Sequence, residues 1–307
     1  MQLISHKIEK QLKQESVELG LLTGLSKLDE SIRGLRPANL ILIAGRTSQG
    51  KTSLVMDIGL EVSKTNPVHF FSVEMNFQQL QLRALSNLSG INHHRLCNFD
   101  TSLAEKETLN KVVADLQQRQ LFIDEESNTL YPINVLHTHK AIREKYGDKM
   151  PPNSINAGIE QAINLGCKLI IVDYLQILNC GIWTERNDIR IHQITWTLSQ
   201  YAKKYQIPII LVSQLRRFEQ SRYKNNKAPR PRLDDLRDSG AIEQDSNIVI
   251  LLHRPQHYET DKELDLFTNT VENDAELIIA KNRSGKTGTV KLAWHGSIMS
   301  FRNLKGE

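Results

Sequence analysis

The sequence predicts an α/β fold, with a mostly parallel central sheet flanked by helices and a C-terminal β-hairpin. Three observations carry this. Unbroken apolar runs at Asn39–Ala44, Lys168–Asp173, Ile207–Ser213 and Ile248–Leu252 read as buried strands. Stretches of helical spacing lie between them, the alternation that builds parallel sheets. Between the first run and the helical stretch Ser53–Ser63 stands Gly45-Arg46-Thr47-Ser48-Gln49-Gly50-Lys51-Thr52. It matches G-x-x-x-x-G-K-[ST], the phosphate-binding P-loop.

The order strand, glycine loop, helix is what phosphate binding requires. Backbone N–H groups of the loop face the phosphates, and the positive end of the helix dipole lies beneath them. Lys51 adds a point charge for β- and γ-phosphates, and the Thr52 hydroxyl is a candidate Mg²⁺ ligand.

The chain has 307 residues, 39% hydrophobic and 24% charged, with a formal net charge of +4. That composition suits a globular chain of one large or two small domains. Cys97, Cys167 and Cys180 form no C-x-x-C pair, so neither a disulfide framework nor a zinc site is suggested, and a reducing compartment is favoured. No run of 18 apolar residues is present, and the start lacks a signal-peptide core. A cytoplasmic setting without a membrane partner is therefore expected.

Residues 3–16 place Ile4, Ile8 and Leu12 on one narrow apolar stripe. The stripe suits either docking on a neighbouring subunit or a frayed terminal helix. Val68–Ser72 is the next strand after the P-loop helix, and Glu74 follows it. Open α/β sheets place ligand chemistry at such strand ends, where a carboxylate can orient and deprotonate water; a solvated loop glutamate is the alternative. Helices are expected over residues 78–86, which carry Arg83, and over 103–118, with a strand at Leu121–Asp124. Residues 125–155 carry little pattern, and the next helix is read from Ile155 to Leu165.

The run Lys168–Asp173 ends in an aspartate, as a buried parallel strand carrying a Mg²⁺-water ligand would. A helix over about residues 188–205 leads to the strand ending at Ser213 and Gln214, where a glutamine can contact a γ-phosphate. Residues 216–232 then hold seven basic residues, Arg216 and Arg217 among them, against Glu219 alone, a net of +6. Such a loop can face a phosphate backbone, or be solvated surface. Ser239-Gly240 reads as a helix start whose free N–H groups, beside Arg237, can hold a backbone phosphate. Ala275–Ala280 and Gly288–Trp294 read as a hairpin. Its turn contains Gly285-Lys286-Thr287, but Ala280 stands where a second P-loop needs glycine. The pairs His253/His257 and His93/His94 have no acidic metalloprotease partner, and no structural metal is assigned.

Taken together, the P-loop, Phe71–Met75, Ile170–Gln176, Ser213–Arg216, Asp235–Asp245 and Lys281–Arg283 resemble the C-terminal motor domain of the DnaB-type hexameric replicative helicases. These belong to the RecA-like group of P-loop ATPases. The resemblance runs from about residue 20 to the end. It implies an ATP- and Mg²⁺-dependent motor that hydrolyses ATP between subunits of a ring, moves on single-stranded DNA and unwinds duplex.

It also implies roles. Gly45 to Ser53 bind nucleotide, with Lys51 catalytic as well. Thr52 and Asp173 are the metal side. Glu74 is the catalytic base, Gln214 couples the γ-phosphate to the DNA loops, and Arg83 is an additional phosphate-side arginine. Arg283, with Lys281 beside it, resembles an arginine finger serving the neighbouring subunit. Arg237, Asp238 and Gly240 resemble the loop that tracks DNA phosphates, with aspartate at 238 where the family often has glutamate. Residues 1–19 correspond to a linker helix docking on a neighbour, ahead of a motor domain at 20–307. The family's helical N-terminal domain has no counterpart here, and residues 147–158 are extra. Implied partners are single-stranded DNA, a homo-hexamer, primase and a helicase loader, in a bacterial or phage-like setting with an organelle left open. A filament-forming RecA-like recombinase and a non-unwinding ATP-dependent scaffold are the competing expectations.

Overall fold

A computed structural model describes residues 19–133, 135, 140–147, 149–181, 184, 186–216, 229–236, 239–255 and 272–304. The expected linker helix, Arg217, Arg237 and Asp238 lie outside the described residues.

The strands are β1 (Leu40–Gly45), β2 (Val68–Ser72), β3 (Leu121–Asp124), β4 (Thr129–Leu130), β5 (Leu169–Asp173), β6 (Asn179–Cys180), β7 (Ile209–Gln214), β8 (Ile248–His253), β9 (Glu272–Asn282), β10 (Gly288–His295) and β11 (Ser300–Arg302). Nine of them form one sheet in the order β11-β10-β9-β8-β1-β7-β5-β2-β3, and β4 pairs with β6 apart from it. The six strands from β8 to β3 run parallel, while β9, β10 and β11 add antiparallel ladders. The expected mostly parallel sheet and C-terminal hairpin are both present. β9 and β10 extend beyond the apolar runs read in the sequence, over the flanking polar residues Glu272–Asp274, Lys281–Asn282 and His295, because backbone pairing continues past them.

The helices used below are α1 (Ser26–Ile32), α2 (Lys51–Val62), α3 (Phe77–Ser89), α4 (His93–Cys97), α5 (Leu103–Gln118), α6 (Lys140–Tyr146), α7 (Ile155–Asn164), α8 (Asn187–Tyr205) and α9 (Ser239–Asp245). Alternation along each strand divides the core in two. Ile41 and Ile43 of β1 face one layer with Leu54, Met56 and Ile58 of α2. Leu40, Leu42 and Ala44 face the other with Ile191, Ile194, Leu198 and Tyr201 of α8. A strand buried on both faces reads as an unbroken apolar run, which is why β1, β5, β7 and β8 were visible as such. β3 is only half-buried along its length, and α5, which leads into it, has no buried residue. Among the described residues, no helix is long and apolar enough to cross a membrane.

α2 is held from outside the parallel sheet as well. Asp57, 7% exposed, sits on its inner face. Phe301 N–H donates to Asp57 Oδ2 at 2.7 Å, Ser300 Oγ donates to Oδ1 at 3.0 Å, and Asn87 Nδ2 also donates to Oδ1. Arg302 Nη1 lies 3.7 Å away. This latch ties β11 and α3 to the helix that follows the P-loop.

Candidate active site

Strand ends build the site. In a parallel sheet the C-terminal ends of β1, β2, β5 and β7 open on one side, and the first turn of α2 opens there too. A pocket of about 470 Å³ lies at these ends. Of the expected site residues, Thr47, Ser48, Gly50, Lys51, Thr52, Ser53, Glu74, Arg83, Asp173 and Gln214 line it.

The P-loop turns sharply between β1 and α2. Gly50 has φ +94° and Ser48 φ +61°. A side chain on Gly50 would meet Phe301 and Trp294 at 3.0–3.2 Å, so the left-handed backbone favours glycine and the space beside it is tight. Lys51 Nζ donates to the Arg46 carbonyl at 3.0 Å. Burial lowers the Lys51 pKa, while Asp173 and Glu74 pull it back up. Gln49 is fully buried and turned from the pocket. Its Oε1 accepts the Arg254 N–H at 2.6 Å, and its own N–H bonds back to the Arg46 carbonyl at 3.3 Å. The Arg254 guanidinium stacks 4.3 Å from the Trp294 ring. Arg254, just past β8, and Trp294 of β10 thus brace the loop, a support the sequence did not mark.

Register brings the two carboxylates together. Ser72 of β2 pairs with Asp173 of β5, and Val73 N–H donates to the Asp173 carbonyl at 2.9 Å. Ser72 Oγ donates to the Met75 carbonyl at 2.6 Å and shapes the turn that presents Glu74, which is exposed. Asp173 is 2% exposed. Burial pushes its pKa up to about 6, against a hydrogen bond from Thr52 and the charge of Lys51. Oxygen donors from Thr52 and Asp173, beside a lysine, suit a hard cation such as Mg²⁺.

α3 starts in a capping box: Gln79 N–H donates to Asn76 Oδ1 at 2.9 Å, and Asn76 N–H to Gln79 Oε1 at 3.2 Å. One turn later Arg83 points to the pocket. Burial lowers its pKa, with Asp173 and Glu74 opposing. Arg83 Nε and Ser53 Oγ are buried without hydrogen-bond partners among the described residues. Unmatched donors beside a glycine loop and a lysine fit a polyphosphate. Gln214 closes the wall, its Nε2 donating to Thr47 Oγ1 at 2.6 Å.

Lys281 and Arg283 lie elsewhere. Gly45 pairs with Leu252 at one end of β8, whereas Asn282 pairs with Ile248 at the other. Those four residues place Arg283 about 13 Å or more from the P-loop, at roughly 3.3 Å per residue. Lys281 Nζ donates to the Glu243 carbonyl and Arg283 Nη2 to the Gln244 carbonyl, both on the last turn of α9. Arg283 N–H donates to the Asn247 carbonyl at 3.0 Å. Burial lowers the Lys281 pKa, and the neighbouring Arg283 lowers it further. Of the expected DNA-side residues, Arg216 is exposed at the end of β7, its N–H donating to the Asp235 carbonyl at 2.9 Å, and Gly240 is exposed on α9.

The family described as DnaB-like helicase C terminal domain matches residues 20–303. The chain belongs to that family. A probable replicative DNA helicase of Trieres chinensis is 33% identical over 289 residues, 92% of this chain and 57% of that protein. The replicative DNA helicase DnaB of Haemophilus influenzae is 30% identical over 299 residues, 95% of this chain and 57% of that one. The chain thus spans a little over half the length of the curated relatives it matches. A solved DnaB-like replicative helicase, described with its interactions with primase, superposes with a TM-score of 0.75 at 25% identity, covering 98% of this chain and 66% of that one. A solved ATPase domain superposes with a TM-score of 0.74 at 24% identity, covering 98% and 97%, and shares the fold.

Proposed function

We propose that this member of the DnaB-like family is an ATP-hydrolysing motor that works as a ring of subunits on single-stranded DNA and unwinds duplex. The observation that carries the reading is the division of the chemistry. Lys51, Thr52, Glu74, Asp173 and Gln214 converge on one pocket, while Arg283 stands at the opposite end of the sheet, out of reach of it. A finger so placed serves a neighbouring copy, and repeated head-to-tail contacts close into a ring, with six subunits the expected number.

The loop amides, Lys51 and Arg83 bind the β- and γ-phosphates. Thr52 and Asp173 would hold Mg²⁺, which would supply positive charge to offset that of the phosphates. Glu74 aligns water for in-line attack and accepts its proton, and a neighbour's Arg283 offsets the developing charge. Gln214 senses the γ-phosphate. It passes the change through Arg216 to the basic segment with Arg217, and to Arg237, Asp238 and Gly240, which follow DNA phosphates. Residues 1–19 dock on the adjacent motor. Primase and a loader are the further partners, in a cytoplasmic setting. Family membership favours this motor over a filament-forming recombinase.

The test is ATP-dependent displacement of a labelled strand from forked DNA, with particle mass recorded beside it. Displacement is expected in the oligomeric fraction and lost in Lys51→Ala. Oligomers that hydrolyse ATP yet never displace a strand would overturn the helicase reading.

A further inference from the structure

Backbone pairing between β5 and β7 ends at Val172 and Leu211, before either strand reaches the pocket. A side chain takes over from there. Gln176 sits on a short 3-10 turn, Leu175–Ile177, just past Asp173. Its Nε2 donates to Ser213 Oγ at 2.9 Å and to the Gln214 carbonyl at 3.2 Å, and its Oε1 accepts the Gln214 N–H at 3.0 Å. One primary amide thus satisfies both polar groups of the Gln214 backbone, as a neighbouring strand would.

The turn is itself braced. Arg190 of α8 donates to the Leu178 carbonyl at 2.6 Å and to the Gln176 carbonyl at 3.3 Å. On the far side, Gln214 reaches Thr47, Leu215 N–H bonds the Gly45 carbonyl at 3.1 Å, and Leu215 forms an antiparallel bridge with Leu236. Gln214 therefore stands where the P-loop, the Asp173 strand and the path to residue 236 meet.

We propose that Gln176 is a positioning residue that fixes the backbone of Gln214, so that loss of the γ-phosphate moves the segment beyond Leu215 rather than being absorbed by local slack. The inference rests on the sensing role given to Gln214 above. Without the clamp, the Gln214 side chain still reaches Thr47, but its backbone is free to yield. Nucleotide binding survives and its coupling to DNA does not.

The experiment compares Gln176→Met, Gln214→Ala and the double variant in the full chain. The readouts are affinity for a fluorescent ADP analogue, single-stranded DNA affinity with a non-hydrolysable ATP analogue against ADP, and ATPase kcat and KM with and without DNA. For Gln176→Met, ADP-analogue affinity and the KM for ATP should stay within about threefold. DNA stimulation of kcat should drop about tenfold, the scale of one or two lost neutral hydrogen bonds. The difference in DNA affinity between nucleotide states should shrink alike. The double variant should be no worse than the worse single one, because both cut one path. A merely structural role would lower melting temperature without separating kcat from KM. Should the methionine variant fail to fold, Gln176→Glu keeps the acceptor for the Gln214 N–H, drops the two donated bonds, and is expected to show the same split in part. Full DNA coupling in folded Gln176 variants, with coupling lost in Gln214→Ala, would overturn the clamp alone. Full coupling in Gln214→Ala would overturn the sensing role and the clamp with it.

Discussion

The two ends of the parallel sheet differ in how finished they are. At the C-terminal ends of β1, β2, β5 and β7, the P-loop, Glu74, Arg83, Asp173, Gln214 and Trp294 meet around one pocket, buttressed by Arg254 and the Asp57 latch. At the other end, Lys281 and Arg283 donate to the last carbonyls of α9. The first end is preorganised within one protomer. The second is a pair of cations at a helix C-terminus, which is favourable electrostatically but has no chemistry of its own. The contrast suggests a reaction centre completed only when one copy's finger end meets another's pocket end. It also suggests why α9 is the natural link: the same seven-residue helix starts at the expected DNA-side residues Ser239-Gly240 and ends against both cations.

The sharpest way to break the contrast is at Arg283. Arg283→Ala should lower kcat by about 10³–10⁵, with nucleotide affinity nearly unchanged, read by steady-state ATPase and equilibrium nucleotide binding. Loss of nucleotide binding instead would make Arg283 part of a single-protomer site. At the pocket end, Glu74→Gln should lower kcat by about 10²–10⁴ while ATP still binds; normal turnover would remove Glu74 from the chemistry.

A third prediction concerns the basic run at residues 216–232. Plotting log affinity for single-stranded DNA against log salt should give a slope of about −0.7 for each phosphate neutralised, and Arg216→Ala should make the slope shallower by about one such step. An unchanged slope would place Arg216 outside the DNA path.

The smallest expected effect is on stability. Burial raises the Asp57 pKa to about 6 from an ordinary 3.8, so the folded chain holds this proton more tightly than the unfolded chain. Its contribution is therefore largest below about pH 4 and declines as pH rises towards about 6. Asp57→Asn should remove that decline, raising stability at pH 7 relative to that at pH 4 by on the order of 1–3 kcal/mol in urea titrations. An unaltered difference would mean that the latch does not titrate.

What the sequence disclosed follows from range. The P-loop, the buried strands and the strand-end positions of Glu74 and Asp173 are local patterns, legible because periodicity and loop chemistry act over a few residues. Long-range side-chain roles left no such trace. Gln176 was visible as part of a motif, but its clamp on Gln214 spans 38 positions. The inward turn of Gln49 depends on Arg254, 205 positions away. Asp57 reads as an ordinary polar residue on a helix, since nothing nearby announces the β11 donors. The least patterned stretch, 125–155, contains the short β4 and the helix α6. α6 has no buried residue, so no apolar stripe marked it.

The central claim is tested most directly by mixing two inactive variants, Glu74→Gln and Arg283→Ala, and measuring ATPase after subunit exchange is confirmed by native mass spectrometry. Each pocket that retains Glu74 can then meet a neighbour that retains Arg283. Activity should return at about one quarter of the interfaces in an equimolar random mix. Verified mixed oligomers no more active than the separate variants would contradict a shared reaction centre.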